Sequence, residues 1–359
     1  MSAASALHEQ LLSWASPQLK SVNQLSIVTR GSLASIPFGL LLTQSAQGAD
    51  YKNFQWLIKK YAIAHAPSIA SWTLAGNSSR AGTRVGSFLA WADPDFGGSE
   101  RGPTAGTRGV RRTVRSVATT PGIDAATAQL SAVNFGAVLD RLPETKAEAE
   151  AIARAVKANA SSDIILGGRA TRASVLSMSS TGRLNDAGIV MFATHGLAPK
   201  DLPGLTQPAL AMAKDPTSKE LPLLMLDDVV GLRMNADWVL LSACNTSAAE
   251  RVGGDALSGL ARGFFFAGAK SLLVTHWAVD SESAASITVK TMEKYASSTK
   301  VTRAQALQSA SMDLIEGKQV PSEWAHEWAH PIFWAPYALV GNGRRWAAAS
   351  GGQPSISRA

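Results

Sequence analysis

From residue 163 onward one pattern recurs and governs what this chain can fold into. DIILGG, AGIVMFATHG, ADWVLLSACNT and KSLLVTHW are short, nearly unbroken apolar runs, and most are separated by stretches with helical spacing. Strands that are apolar on both sides must be covered on both faces, which a parallel sheet between helices achieves. The helical stretches include GDALSGLARGFFFAGA and a segment from about Ser281 to Ala296. A further helix is predicted near residue 145, where Thr145 and Glu148 have capping-box spacing and Ala151, Ile152, Ala155 and Val156 form an apolar stripe. Before it, LSIVTR (Leu25 to Arg30), YAIAHA (Tyr61 to Ala66) and VGSFLAWA (Val85 to Ala92) have strand length, each followed by turn or helix-start residues. The expectation is an α/β fold with a mostly parallel central sheet flanked by helices.

Composition sets the boundary conditions. A chain of 359 residues with 46% hydrophobic and 17% charged residues can bury a large core in one or two domains. The net charge of +7 has a local source: Arg108, Arg111, Arg112 and Arg115 lie in a Gly/Ser/Thr-rich stretch with no acid between Gly102 and Ile123. Without interleaved aromatics or a nucleic-acid module this reads as a mobile loop over about 97–120 and not as a nucleic-acid footprint. No run approaches the roughly 18–20 apolar residues of a membrane span. The N-terminus lacks the basic-then-apolar order of a secretory signal, and the single cysteine fits a reducing compartment. These point to a cytoplasmic chain without membrane contact. No repeat of 20–50 residues is visible.

In open α/β sheets the chemistry collects at the carboxyl ends of strands. One apolar run delivers His195 and Gly196, another Cys244, and the two candidates stand 49 residues apart in the order His then Cys. A nearby imidazole turns a thiol into a nucleophile, and the backbone N–H groups of Gly196 and Cys244 are candidates for an oxyanion hole. The bland alternative is a buried small Cys244 and a structurally satisfied His195. Caspases share this order, with about 50 residues of separation.

ATHGL, LLSACNT, GGDALSGLARGFFFAGAKSLLVTHWAVD and HPIFWAPYALVG resemble the CHAT domain, a group of caspase-like clan cysteine peptidases related to separase and caspases. SIVTRGSLASIPFGLLL, LIKKYAIAHAPS and FLAWADPDFGG resemble the family's earlier segments. The resemblance implies His195 and Cys244 as a catalytic dyad and a caspase-like fold of two parts. Residues 1–140 would form a supporting, non-catalytic caspase-like part, 141–346 the catalytic part and 347–359 a flexible tail. It further implies a conditional endopeptidase of bacterial defence or cell death, acting on a protein or peptide substrate without metal or organic cofactor. CHAT domains usually follow tetratricopeptide repeats, and none is visible in this sequence: they were lost, lie on a regulatory partner that supplies them, or belong to a longer chain. The alternative is a catalytically silent CHAT scaffold serving as an interaction module.

Two further motifs compete. His326 to His330 spells H-E-x-x-H, a zinc-protease spacing, but Pro331 follows at once and no His, Asp or Glu lies beyond it as a third ligand. No metal site is therefore expected. Acidic residues near the cleft would select a basic P1 side chain. Asp280 is the first candidate, by loose resemblance to separase, with Asp255 and Glu282 as substitutes. Asp280 also stands where an Asp ordinarily caps a helix.

Overall fold

The computed structural model describes residues 3–29, 31–66, 68–69, 86–98, 123–242, 259–277, 279–318 and 327–344. The Arg-rich loop, Cys244, Asp255, His326 and the tail beyond Arg344 lie outside these residues.

The apolar runs form strands as their composition demands. The main sheet comprises β1 (Gln24–Ile27), β2 (Ala62–His65), β3 (Phe88–Pro94), β4 (Ile164–Gly167), β5 (Ile189–Ala193), β9 (Trp238–Leu241), β10 (Ser271–Thr275) and β11 (Tyr337–Gly341). Its order is β1-β2-β11-β10-β9-β5-β3-β4, and every pairing is parallel except β10 with β11. The expected mostly parallel α/β sheet is therefore present. A second, antiparallel sheet of β6 (Gly196–Leu197), β7 (Ala209–Ala211) and β8 (Leu223–Met225) grows directly from the end of β5.

Residues alternate between two cores, as strand geometry requires. Phe88, Ala90, Ile189, Met191, Trp238 and Leu240 face helices α1 (Glu144–Val156), α3 (Ser281–Ser297) and α4 (Arg303–Ile315). Leu89, Trp91, Val190, Phe192, Val239 and Leu241 face the opposite side, where α2 (Gly259–Ala267) contributes Leu260, Ala261 and Phe264. Strands from both sides of residue 140 share this one sheet, with β3 paired between β4 and β5.

The capping-box reading at α1 is corrected. The N-cap is Pro143, and Thr145 and Glu148 are both buried inside the helix. The Thr145 hydroxyl donates to the Leu142 carbonyl at 2.7 Å and accepts the Asp93 N–H at 2.8 Å, while Glu148 accepts from Ser242, just past β9, and from Thr288 on α3. Residues with cap chemistry satisfy tertiary partners here because the helix start is pressed against β3.

Candidate active site

Phe192 on β5 is in register with Leu241 on the neighbouring β9, and His195 follows β5 by two residues. Cys244 itself lies outside the described residues. Ser242, two residues before it in sequence, follows β9 and is buried.

His195 is 2% exposed and its Nε2 lies 2.7 Å from the backbone carbonyl of Asp140. A carbonyl can only accept, so Nε2 carries the proton and the lone pair of a neutral imidazole sits on Nδ1. This tautomer suits a base that works through Nδ1. The ring packs against Phe96, with centroids 5.6 Å apart. The backbone on either side is tied to β7: Ala211 N–H donates to the His195 carbonyl at 2.9 Å, and the Thr194 hydroxyl donates to the Ala211 carbonyl at 2.6 Å. Alternate residues of an antiparallel ladder face the partner strand. With His195 facing β7, Gly196, which is opposite Leu210, turns its N–H away from it.

Sequence reading missed the groups that hold this arrangement. Asp93 ends β3 at 6% exposure, and Arg141 grips it with Nε at 3.1 Å and a terminal nitrogen at 2.5 Å. Arg141 is the immediate neighbour of Asp140. Glu148, 1% exposed, accepts from the Ser242 hydroxyl at 2.9 Å and from the Thr288 hydroxyl at 2.6 Å. The available signal was a charge lodged in an apolar helical stripe, which is rare without buried partners.

The other candidates fall at the same end of the sheet or elsewhere. Asp280 caps α3, its carboxylate accepting the Ser283 N–H at 2.9 Å. Glu282 is exposed in the first turn of that helix. In the H-E-x-x-H segment, Glu327 and His330 lie in a turn, and His330 Nδ1 accepts the Ile332 N–H at 3.1 Å as the cap of a short helix, Pro331–Trp334. That turn is not the continuous helix a zinc protease needs.

A second pair of imidazoles lies close together. His65 closes β2 and His276 follows β10, their rings 6.3 Å apart beside a cavity lined also by Ile58, Trp334 and Tyr337. Burial pulls His65 down to about 3, with the His276 charge adding to the effect, and burial brings His276 down to about 4.

The CHAT domain model matches residues 2–342, and the chain belongs to the CHAT domain family. Comparison with curated proteins found no match. Among solved structures, Saccharomyces cerevisiae separase in complex with securin is similar at 9% identity and a TM-score of 0.43 over 82% of this chain. This chain spans only 14% of that separase chain. The Arg-specific cysteine proteinase gingipain R is similar at 11% identity and a TM-score of 0.46, covering 93% of this chain and 67% of its own. A complex of the pro- and mature domains of the Porphyromonas gingivalis gingipain is similar at 10% identity and a TM-score of 0.46, covering 92% and 68%.

Among the described residues, no helix is long and apolar enough to cross a membrane.

Proposed function

We propose that the chain is a cysteine endopeptidase of the CHAT type, in which Cys244 attacks a scissile carbonyl and His195 handles the proton. The observation that carries this reading is the bond from His195 Nε2–H to the Asp140 carbonyl, made beside the strand that leads to Cys244. It orients the imidazole and leaves Nδ1 to take the thiol proton and pass it to the leaving amine. The N–H of Gly196, turned away from β7, joins that of Cys244 in stabilising the oxyanion. Such chemistry needs neither metal nor organic cofactor.

Family membership supports a conditional enzyme that cuts a particular protein under the control of a regulatory partner, in a bacterial defence or cell-death setting. The single cysteine supports work in the reducing cytoplasm. Residues 1–140 act as the supporting part, lending strands to the sheet in which 141–346 carry the dyad. Of the acidic residues proposed for a basic P1 side chain, Asp280 caps α3, so the preference falls to Glu282, with Asp255 proposed for the same role.

Cleavage of a peptide library by the full chain tests the reading. Cys244→Ala and His195→Ala each abolish turnover, and the double variant is no worse than either because the pair acts as one unit. Cleavage by Cys244→Ala at the wild-type rate removes the peptidase assignment.

A further inference from the structure

We propose that Asp93 and Arg141 are a positioning pair for His195, holding in place the carbonyl that fixes its tautomer; this rests on the reading of His195 and Cys244 as a dyad. Three independent observations converge on the pair. Asp93 is a non-glycine residue with φ +47° at the end of a central strand, a conformation few side chains other than Asn and Asp adopt. The register of β3 against β4 shifts between Ala92 and Pro94, so the strand deforms at this residue. The deformation presents a carboxylate, buried to 6% exposure, to both the Nε and a terminal nitrogen of Arg141. A bidentate, charge-assisted contact of this kind fixes direction as well as distance.

What the pair restrains is the adjoining peptide. Arg141 follows Asp140, whose carbonyl receives the His195 Nε2–H at 2.7 Å. The next residue is pinned as well: the Leu142 carbonyl accepts the Thr145 hydroxyl, which in turn accepts the Asp93 N–H. Residues 140–142 are thus tied to β3, and β3 is paired residue by residue with β5, the strand that leads to His195. Acceptor and imidazole are held to the same pair of strands. A salt bridge serving stability alone would not need to sit beside the one carbonyl that orients the candidate base.

The single cysteine supplies a readout that needs no substrate. The pH dependence of alkylation of Cys244 by iodoacetamide is measured on the full chain, because only the thiolate reacts. The wild type should react with a midpoint below the ordinary thiol value of about 8.5, and His195→Ala should return to it. Asp93→Asn, which keeps the backbone preference, and Arg141→Lys, which keeps the charge but not the fork, should each move the midpoint at least half-way to that of His195→Ala. The double variant should move it no further, since the two residues act as one. Circular dichroism confines the comparison to folded protein, and either variant suffices if the other fails to fold. Wild-type midpoints in Asp93→Asn and Arg141→Lys, with His195→Ala still shifted, overturn the positioning role alone. Equal midpoints for wild type and His195→Ala overturn the dyad itself, and this inference with it.

Discussion

Mild acid should unfold this protein through His65 and His276. Both imidazoles are held neutral, at about 3 and about 4, against 6.5 when the chain is unfolded. Between pH 7 and pH 5 the unfolded chain therefore gains about 0.7 proton at each site while the native protein gains almost none. Stability is fully present above pH 6.5 and is lost as the pH falls towards the native values. Integrating the proton difference over these two units gives about 2 kcal/mol per imidazole, or about 4 kcal/mol for the pair. Each ring keeps part of its surface open, and water there favours the cation, so these are upper values. Such a loss is a large share of the 5–15 kcal/mol typical of a folded domain. Urea unfolding followed by tryptophan fluorescence at pH 7 and pH 5 measures it directly. The wild type should lose up to about 4 kcal/mol, His65→Gln and His276→Gln about half as much each, and the double variant little. His8 is also shifted down, chiefly by burial and then by Lys60, but it is present in every variant and cancels from the differences. A double variant that loses as much as the wild type would refute the reasoning.

Two further outcomes follow from the site. Glu148→Gln keeps an acceptor oxygen for Ser242 and Thr288 and should cost about 1 kcal/mol or less, whereas Glu148→Ala removes the acceptor and opens a gap, costing about 2–4 kcal/mol in denaturant unfolding; equal losses would show that the hydroxyl contacts contribute nothing. Asp280→Ala should cost about 1 kcal/mol as a lost cap and leave the ratio of turnover on matched Arg and Asp peptides unchanged, while Glu282→Ala lowers that ratio; the reverse pattern would return Asp280 to the pocket.

The strands after residue 163 were legible because burial on both faces leaves a continuous apolar run, as in AGIVMFA and ADWVLL. His195 follows the end of one such run, two residues past β5. The antiparallel direction of β11 was not legible, since an apolar run carries no sign of which way it points. Nor were the restraints on His195. One is a backbone carbonyl, which any residue supplies, and another is an ion pair whose members, Asp93 and Arg141, are 48 residues apart. Glu148 shows the same limit in another form: Thr145 and Glu148 have the letters of a local cap, and only tertiary contact reveals that both serve distant strands.

The place of β11 has a consequence for how the molecule is made. Among the described residues, β2 is joined to the sheet beyond β1 through Val340, opposite His65, so strands formed early in the chain must await one formed about 270 residues later. At 5–20 residues per second, translation leaves β1 and β2 without their neighbour for roughly 15–55 s. During that interval the edge of β2 is open to any passing strand, so a nascent chain stalled before Tyr337 is the species most in need of a chaperone.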